Sequence, residues 1–95
     1  MSGNLFKDTL SLFESGKALR CKDVITALEG LGFEVRDGKR GGHKVYVHDG
    51  LDDFYSGSFD CKHGKNPQIN SGYIKKIAKT LKLYEQELTE LLDKK

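Results

Sequence analysis

The chain has 95 residues, 37% of them hydrophobic and 32% charged, with 16 Lys and Arg against 14 Asp and Glu and a formal net charge of +2. This length fits one domain, residues 1–95, and the composition is too apolar and too evenly charged for a disordered tail. No apolar run approaches the ~20 residues that span a bilayer, and the first four residues do not begin a secretory signal, so a cytoplasmic protein with no membrane partner is expected.

In chain order, Phe6, Leu10 and Phe13 recur at helical spacing and predict a helix over residues 4–14, ended by Ser15-Gly16. A second helix is predicted over residues 22–31, with Val24, Ile25, Leu28 and Leu31 on one stripe and Gly32 as a left-handed cap. Phe33-Glu34-Val35-Arg36 alternates apolar and polar and reads as a short strand with Phe33 and Val35 inward. Asp37 to Gly42 is a hairpin loop whose glycines allow positive φ and close approach of a ligand to the backbone. His43 to His48 is a second strand, on which Val45 and Val47 look core-facing. Ser58 to Lys62 is a third, with Phe59 and Cys61 on one face. A loop over residues 64–70 leads to a helix capped by Ser71, with Ile74, Ile77, Ala78 and Leu81 buried and Lys75, Lys76, Lys79 and Lys82 outside. The apolar pattern runs on through Tyr84, Leu88, Leu91 and Leu92, as one long helix or as two. The expected class is therefore α+β, a three-stranded antiparallel sheet with helices on one face. Cys21 and Cys61, forty positions apart with no secretory context, are expected to be reduced thiols.

Charge is segmented. Residues 61–83 hold Lys62, Lys65, Lys75, Lys76, Lys79 and Lys82 and no acid, and the hairpin holds Arg36, Lys39, Arg40 and Lys44. All three histidines, His43, His48 and His63, lie in or beside these stretches. If the fold joins them they form one cationic face suited to phosphate; taken alone, a lysine run is an ordinary solvated helix face. No C-x-x-C or H-x₃-H pair marks a metal site, and no glycine-rich nucleotide loop is present, so no cofactor or metal is expected. What remains is histidine chemistry. His43 follows Lys39-Arg40-Gly41-Gly42, and an imidazole there reaches a phosphodiester held by those amides and cations. Against this, strand parity puts His43 on the face of Val45 and Val47, so a catalytic ring must project past the edge of the helix layer.

The ordered set Leu31-Gly32-Phe33, Gly41-Gly42-His43-Lys44-Val45-Tyr46-Val47-His48, His63-Gly64-Lys65 and Gly72-Tyr73-Ile74-x-x-Ile77 resembles the HicA family, over about residues 20–82. The resemblance implies a fold similar to the double-stranded-RNA-binding domain, α-β-β-β-α, here with an extra N-terminal helix and a C-terminal helical extension. It implies an mRNA-cleaving endoribonuclease toxin with one catalytic histidine, neutralised by a HicB-like antitoxin. Carried across, His43 is the catalytic residue and Gly41 the motif glycine. Gly42 stands where the family usually has Ser or Thr. Lys39, Arg40, Gly41, Gly42, Lys44, Lys62, His63, Lys75 and Lys79 are the expected RNA-binding set. His63, His48, Tyr46 and a lysine stay open as donors to the leaving group. The alternative is an RNA-binding module without catalysis, using the same basic face.

Overall fold

The computed structural model describes residues 2–39, 42–61 and 68–93. The elements run α1 (Ser2–Glu14), α2 (Cys21–Gly30), β1 (Glu34–Asp37), β2 (His43–Val47), β3 (Gly57–Asp60), α3 (Ser71–Leu83) and α4 (Glu85–Asp93). The strands form one antiparallel sheet in the order β1-β2-β3, the expected α+β arrangement. The C-terminal pattern is two helices, broken at Tyr84, whose hydroxyl donates to the Asp53 carbonyl at 3.2 Å. Asn70, not Ser71, caps α3: its side chain accepts the Gly72 N–H at 2.8 Å, and Ser71 is the first helical residue. Gly32 has the positive φ expected of it, +95°.

The core lies between the sheet and the helices. Val24, Leu28 and Leu31 of the second stripe and Ile74, Ile77, Ala78 and Leu81 of α3 are all buried. On the sheet side the core is aromatic. Phe33 meets Tyr46 edge-on at 5.6 Å, and Phe54 closes the group against both. Edge and stacked ring pairs of this kind add about 0.5–1.5 kcal/mol each beyond their buried area. Gly57 is required here, because a Cβ at that position would stand 2.1 Å from the Tyr46 ring.

The burial of Tyr46 decides which face of β2 points inward. Tyr46 is 2% exposed while Val45 and Val47 are only half-buried, so the expectation that the two valines face the core is reversed. An alternating strand buries one parity, and the bulkiest aromatic took it. His43, Val45 and Val47 therefore share the face of the sheet turned away from Tyr46.

The two cysteines, expected as free thiols, form a disulfide between the first residue of α2 and the end of β3, with Cα atoms 5.5 Å apart. That spacing is within bonding reach, and no sequence-based view of compartment anticipates it. The same region is stitched by backbone: Ile69 N–H donates to the Leu19 carbonyl at 2.9 Å, and Cys61 pairs with Ile69. α1 packs on α3 and on α4, so the two additions outside the α-β-β-β-α core cover each other.

A closed loop of this length contributes roughly 3–4 kcal/mol in the chain-entropy account. Cys21→Ser with Cys61→Ser should lower unfolding stability by about that amount, measured by denaturant melts against the oxidised protein. Thiol titration of the oxidised protein should find no free thiol before reduction and two after it.

Candidate active site at the β2–β3 end

The site starts from strand register. β2 and β3 pair antiparallel with His43 opposite Asp60. Phe59 is fully buried, so its neighbour Asp60 points to the other face, the face of His43. The pair meets: His43 Nδ1 lies 2.6 Å from Asp60 Oδ1. An ionised carboxylate only accepts hydrogen bonds, so Nδ1 carries a proton and faces Asp60, and Nε2 is the ring nitrogen turned away from the carboxylate. β3 is a sheet edge, and Tyr73 in the first turn of α3 reaches the other carboxylate oxygen, its hydroxyl donating to Asp60 Oδ2 at 2.9 Å. One carboxylate thus joins the sheet, the imidazole and α3.

The His43 side chain is 37% exposed. Its ring rests on Gly38, where a Cβ would come within 2.2 Å of the ring carbon Cδ2. Gly38 N–H also donates to the His43 carbonyl at 2.8 Å, closing the hairpin. The hairpin glycine that permits close approach therefore admits the histidine rather than a ligand. Gly42 has φ +84°, and its carbonyl accepts the Cys61 N–H at 2.7 Å. It turns the chain into β2 and holds β3 in place.

The electrostatics follow the geometry. The hydrogen bond from His43, then the one from Tyr73, hold the Asp60 carboxyl below its ordinary value. The same bond to Asp60 raises the Tyr73 hydroxyl. A charged acceptor with two donors is favoured over its protonated form, so Asp60 stays an anion at neutral pH and keeps the imidazole oriented.

Several expected residues fall elsewhere. Lys44 points opposite to His43 and is ion-paired with Asp37. Lys39 is exposed in the hairpin, and Lys75 and Lys79 are exposed on α3. Arg40, Gly41, Lys62 and His63 lie outside the described residues. His48 is structural: Nε2 donates to the Leu31 carbonyl at 3.1 Å, Nδ1 accepts the Gly50 N–H at 3.0 Å, and the ring sits edge-on to Phe33. Tyr46 is buried, which pushes its hydroxyl up. Neither is placed to protonate a leaving group. Among the described residues no group of three or more His, Cys, Asp or Glu is placed to hold a metal ion, and no helix is long and apolar enough to cross a membrane.

The residues that the sequence reading missed are Asp60 and Tyr73 as partners of His43. The signal for Asp60 was its parity against buried Phe59 and Cys61.

A protein-family model described as the HicA toxin of bacterial toxin–antitoxin systems matches residues 21–83. That span is two thirds of the chain. The chain belongs to the HicA toxin family. Searches among curated proteins and among solved structures gave no match. HicA toxins are in general ribonucleases with RNA as target and an antitoxin as partner. The matched span contains β1, β2, β3 and α3, and with them His43, Asp60 and Tyr73; α1 and α4 lie beyond it.

The hydrogen-bond order is open to measurement. In carbonyl-detected NMR titrations Asp60 should titrate below the ordinary aspartate value of about 3.9. Tyr73→Phe should raise it, and His43→Ala should raise it more. Because the folded-state value is the depressed one, the stability it contributes is present above the unfolded value and disappears as pH falls through the folded value.

Proposed function

We propose that this HicA-family toxin is a metal-independent endoribonuclease that cuts mRNA in the bacterial cytoplasm with His43 as its base, and that a HicB-like antitoxin neutralises it. The observation that carries the reading is the 2.6 Å contact of His43 Nδ1 with Asp60. It puts a proton on Nδ1, so that in the neutral ring Nε2 is the nitrogen that accepts a proton, the arrangement of an oriented base with a carboxylate behind it.

The chemistry then needs only the RNA's own nucleophile. Nε2 takes the proton of a ribose 2′-hydroxyl. The 2′-oxygen bonds to the adjacent phosphorus, the bond from phosphorus to the 5′-oxygen breaks, and that oxygen takes a proton from water as it leaves. The products are a 2′,3′-cyclic phosphate and a 5′-hydroxyl. Asp60 stabilises the imidazolium formed when Nε2 is protonated. Tyr73 holds Asp60 in place and leads into α3, where Lys76 follows one turn later on the same side and Lys75 and Lys79 continue the basic surface. These cations bind the phosphates on either side of the cut and offset charge that builds on the reacting one. A single positioned base supplies about 10²–10⁴-fold, which makes a modest enzyme.

The deciding assay is RNA cleavage by purified wild-type and variant chains beside thermal melts. His43→Ala should lose about 10²-fold or more of the rate with an unchanged melt, because the truncated ring is partly exposed. Asp60→Asn should fall at least about tenfold. Cleavage should persist in EDTA. A His43→Ala chain that cuts at the wild-type rate would leave only an RNA-binding module.

The basic face has its own readout. Replacing Lys75 and Lys79 with Ala should weaken RNA binding for all sequences alike. For each phosphate that the helix no longer neutralises, the log–log salt slope on single strands should flatten by about 0.7.

A further inference from the structure

The ribonuclease reading leaves unused a cavity of about 370 Å³ between the end of α1 and the outer side of α3. This volume lies within the range of small-molecule sites. Its walls divide by chemistry: Phe13, Ile74 and Ala78 supply apolar surface, and Lys17, Lys75 and Lys79 stand around it. Glu14, the one acid at the cavity, is already bonded to Lys82 at 2.5 Å. Among the described residues none of Lys17, Lys75 and Lys79 has a carboxylate partner. Three like charges around one concavity repel each other unless an anion sits among them. Ser71, at the positive end of the α3 dipole, lines the same space.

We propose that this cavity binds one nucleotide unit, its base against Phe13, Ile74 and Ala78 and its phosphate among Lys17, Lys75 and Lys79. The chemistry selects this occupant over an acidic peptide. A phosphate presents several oxygens to several compact ammonium groups at once, whereas a peptide carboxylate brings a single charge. A nucleotide also carries a flat, weakly polar base about one sugar away from its phosphate, which matches an apolar floor beside a cationic rim. Lys75 and Lys79 belong to the surface that the ribonuclease reading assigns to RNA, so a strand on α3 runs directly to the cavity. Phe13 and Lys17 lie outside the matched family span, so the site is a property of this chain's N-terminal helix. In identifying RNA as one source of the nucleotide, the proposal rests on the ribonuclease reading; nucleotide binding itself does not require cleavage.

The test uses the ¹⁵N-labelled full chain. Titration with AMP, inorganic phosphate and adenosine should shift the amides of Gly16, Lys17 and Lys75, with AMP binding at least tenfold tighter than either fragment. Lys17→Glu, an exposed position, should weaken AMP by roughly fivefold or more with the melt unchanged; Ala78→Met, which fills the floor, should weaken it further. A second arm measures affinity for a 2′-O-methyl RNA hexamer. Loss there with Lys17→Glu assigns the site to a nucleotide of the strand, and loss for AMP alone assigns it to free nucleotides. AMP binding no tighter than phosphate, AMP binding indifferent to Lys17→Glu, or an acidic peptide binding where no nucleotide does, each overturns the proposal. The two readings fail separately. If AMP binds through Lys17 in a chain that cuts no RNA, the ribonuclease reading falls and the cavity stands. If RNA is cut while AMP does not bind, only the cavity assignment falls.

Discussion

The pairing register of β2 and β3 is the constraint on which the site depends. His43 and Asp60 are directly opposite each other, and side chains on neighbouring strands interact strongly only at such positions. A slip of one residue would carry every side chain of one strand to the other face. It would put Phe59 in solvent and take Asp60 away from the ring. The register that buries the aromatic core is thus the register that sets His43 against Asp60.

What fixes that register is a set of close contacts at both ends of the strands. At one end Gly57 lies under the Tyr46 ring, where no side chain would fit. At the other the Gly42 carbonyl holds the Cys61 N–H, and Cys61 is covalently tied to α2. Asp60 sits one residue before that tie. The disulfide therefore anchors the end of an edge strand, where pairing is otherwise weakest, next to the carboxylate that orients the imidazole. A reducing compartment would favour two thiols, whereas the fold brings the sulfurs together where each cysteine is only 7% exposed. Tyr73 adds a second anchor from α3 by its bond to the same carboxylate.

Most of the fold was legible because helical stripes depend on many residues at once. Of the stripe Val24, Ile25, Leu28 and Leu31 all but half-buried Ile25 are buried, and so are Ile74, Ile77, Ala78 and Leu81. One wrong symbol in such a stripe changes little. A five-residue strand has no such redundancy. Choosing Val45 and Val47 over Tyr46 inverted β2, and that inversion made His43 look like a residue facing the core. It also hides Asp60, which lies on the face opposite buried Phe59 and Cys61, away from a His43 read as facing the core. Weighing one aromatic ring above two small β-branched side chains would have put His43 and Asp60 on the same face. Tyr73 was out of reach of any such rule, because the approach of α3 to the β3 edge is a tertiary fact. The disulfide is of the same kind: two cysteines forty positions apart meet only after the sheet and α2 have packed.

The helices outside the family core follow from what that core leaves exposed. α3 must bury Ile74 and Ala78 on one flank while presenting Tyr73 to the sheet on another. A three-stranded sheet with two helices covers only one side of α3. α1 covers the rest with Phe6 and Phe13, and α4 closes over α1 with Leu88 and Leu92, all of them buried. The added helices thus stabilise the flank of α3 away from His43 and leave its lysines in solvent. Their packing is incomplete where α1 ends at Gly16, at φ +79°, and the gap there is the cavity between Phe13 and Ala78. A helix recruited to cover α3 has in this way turned a flat basic surface into a concave one, and a concave cationic surface with an apolar floor can hold one nucleotide, where a flat one can only attract a charged backbone.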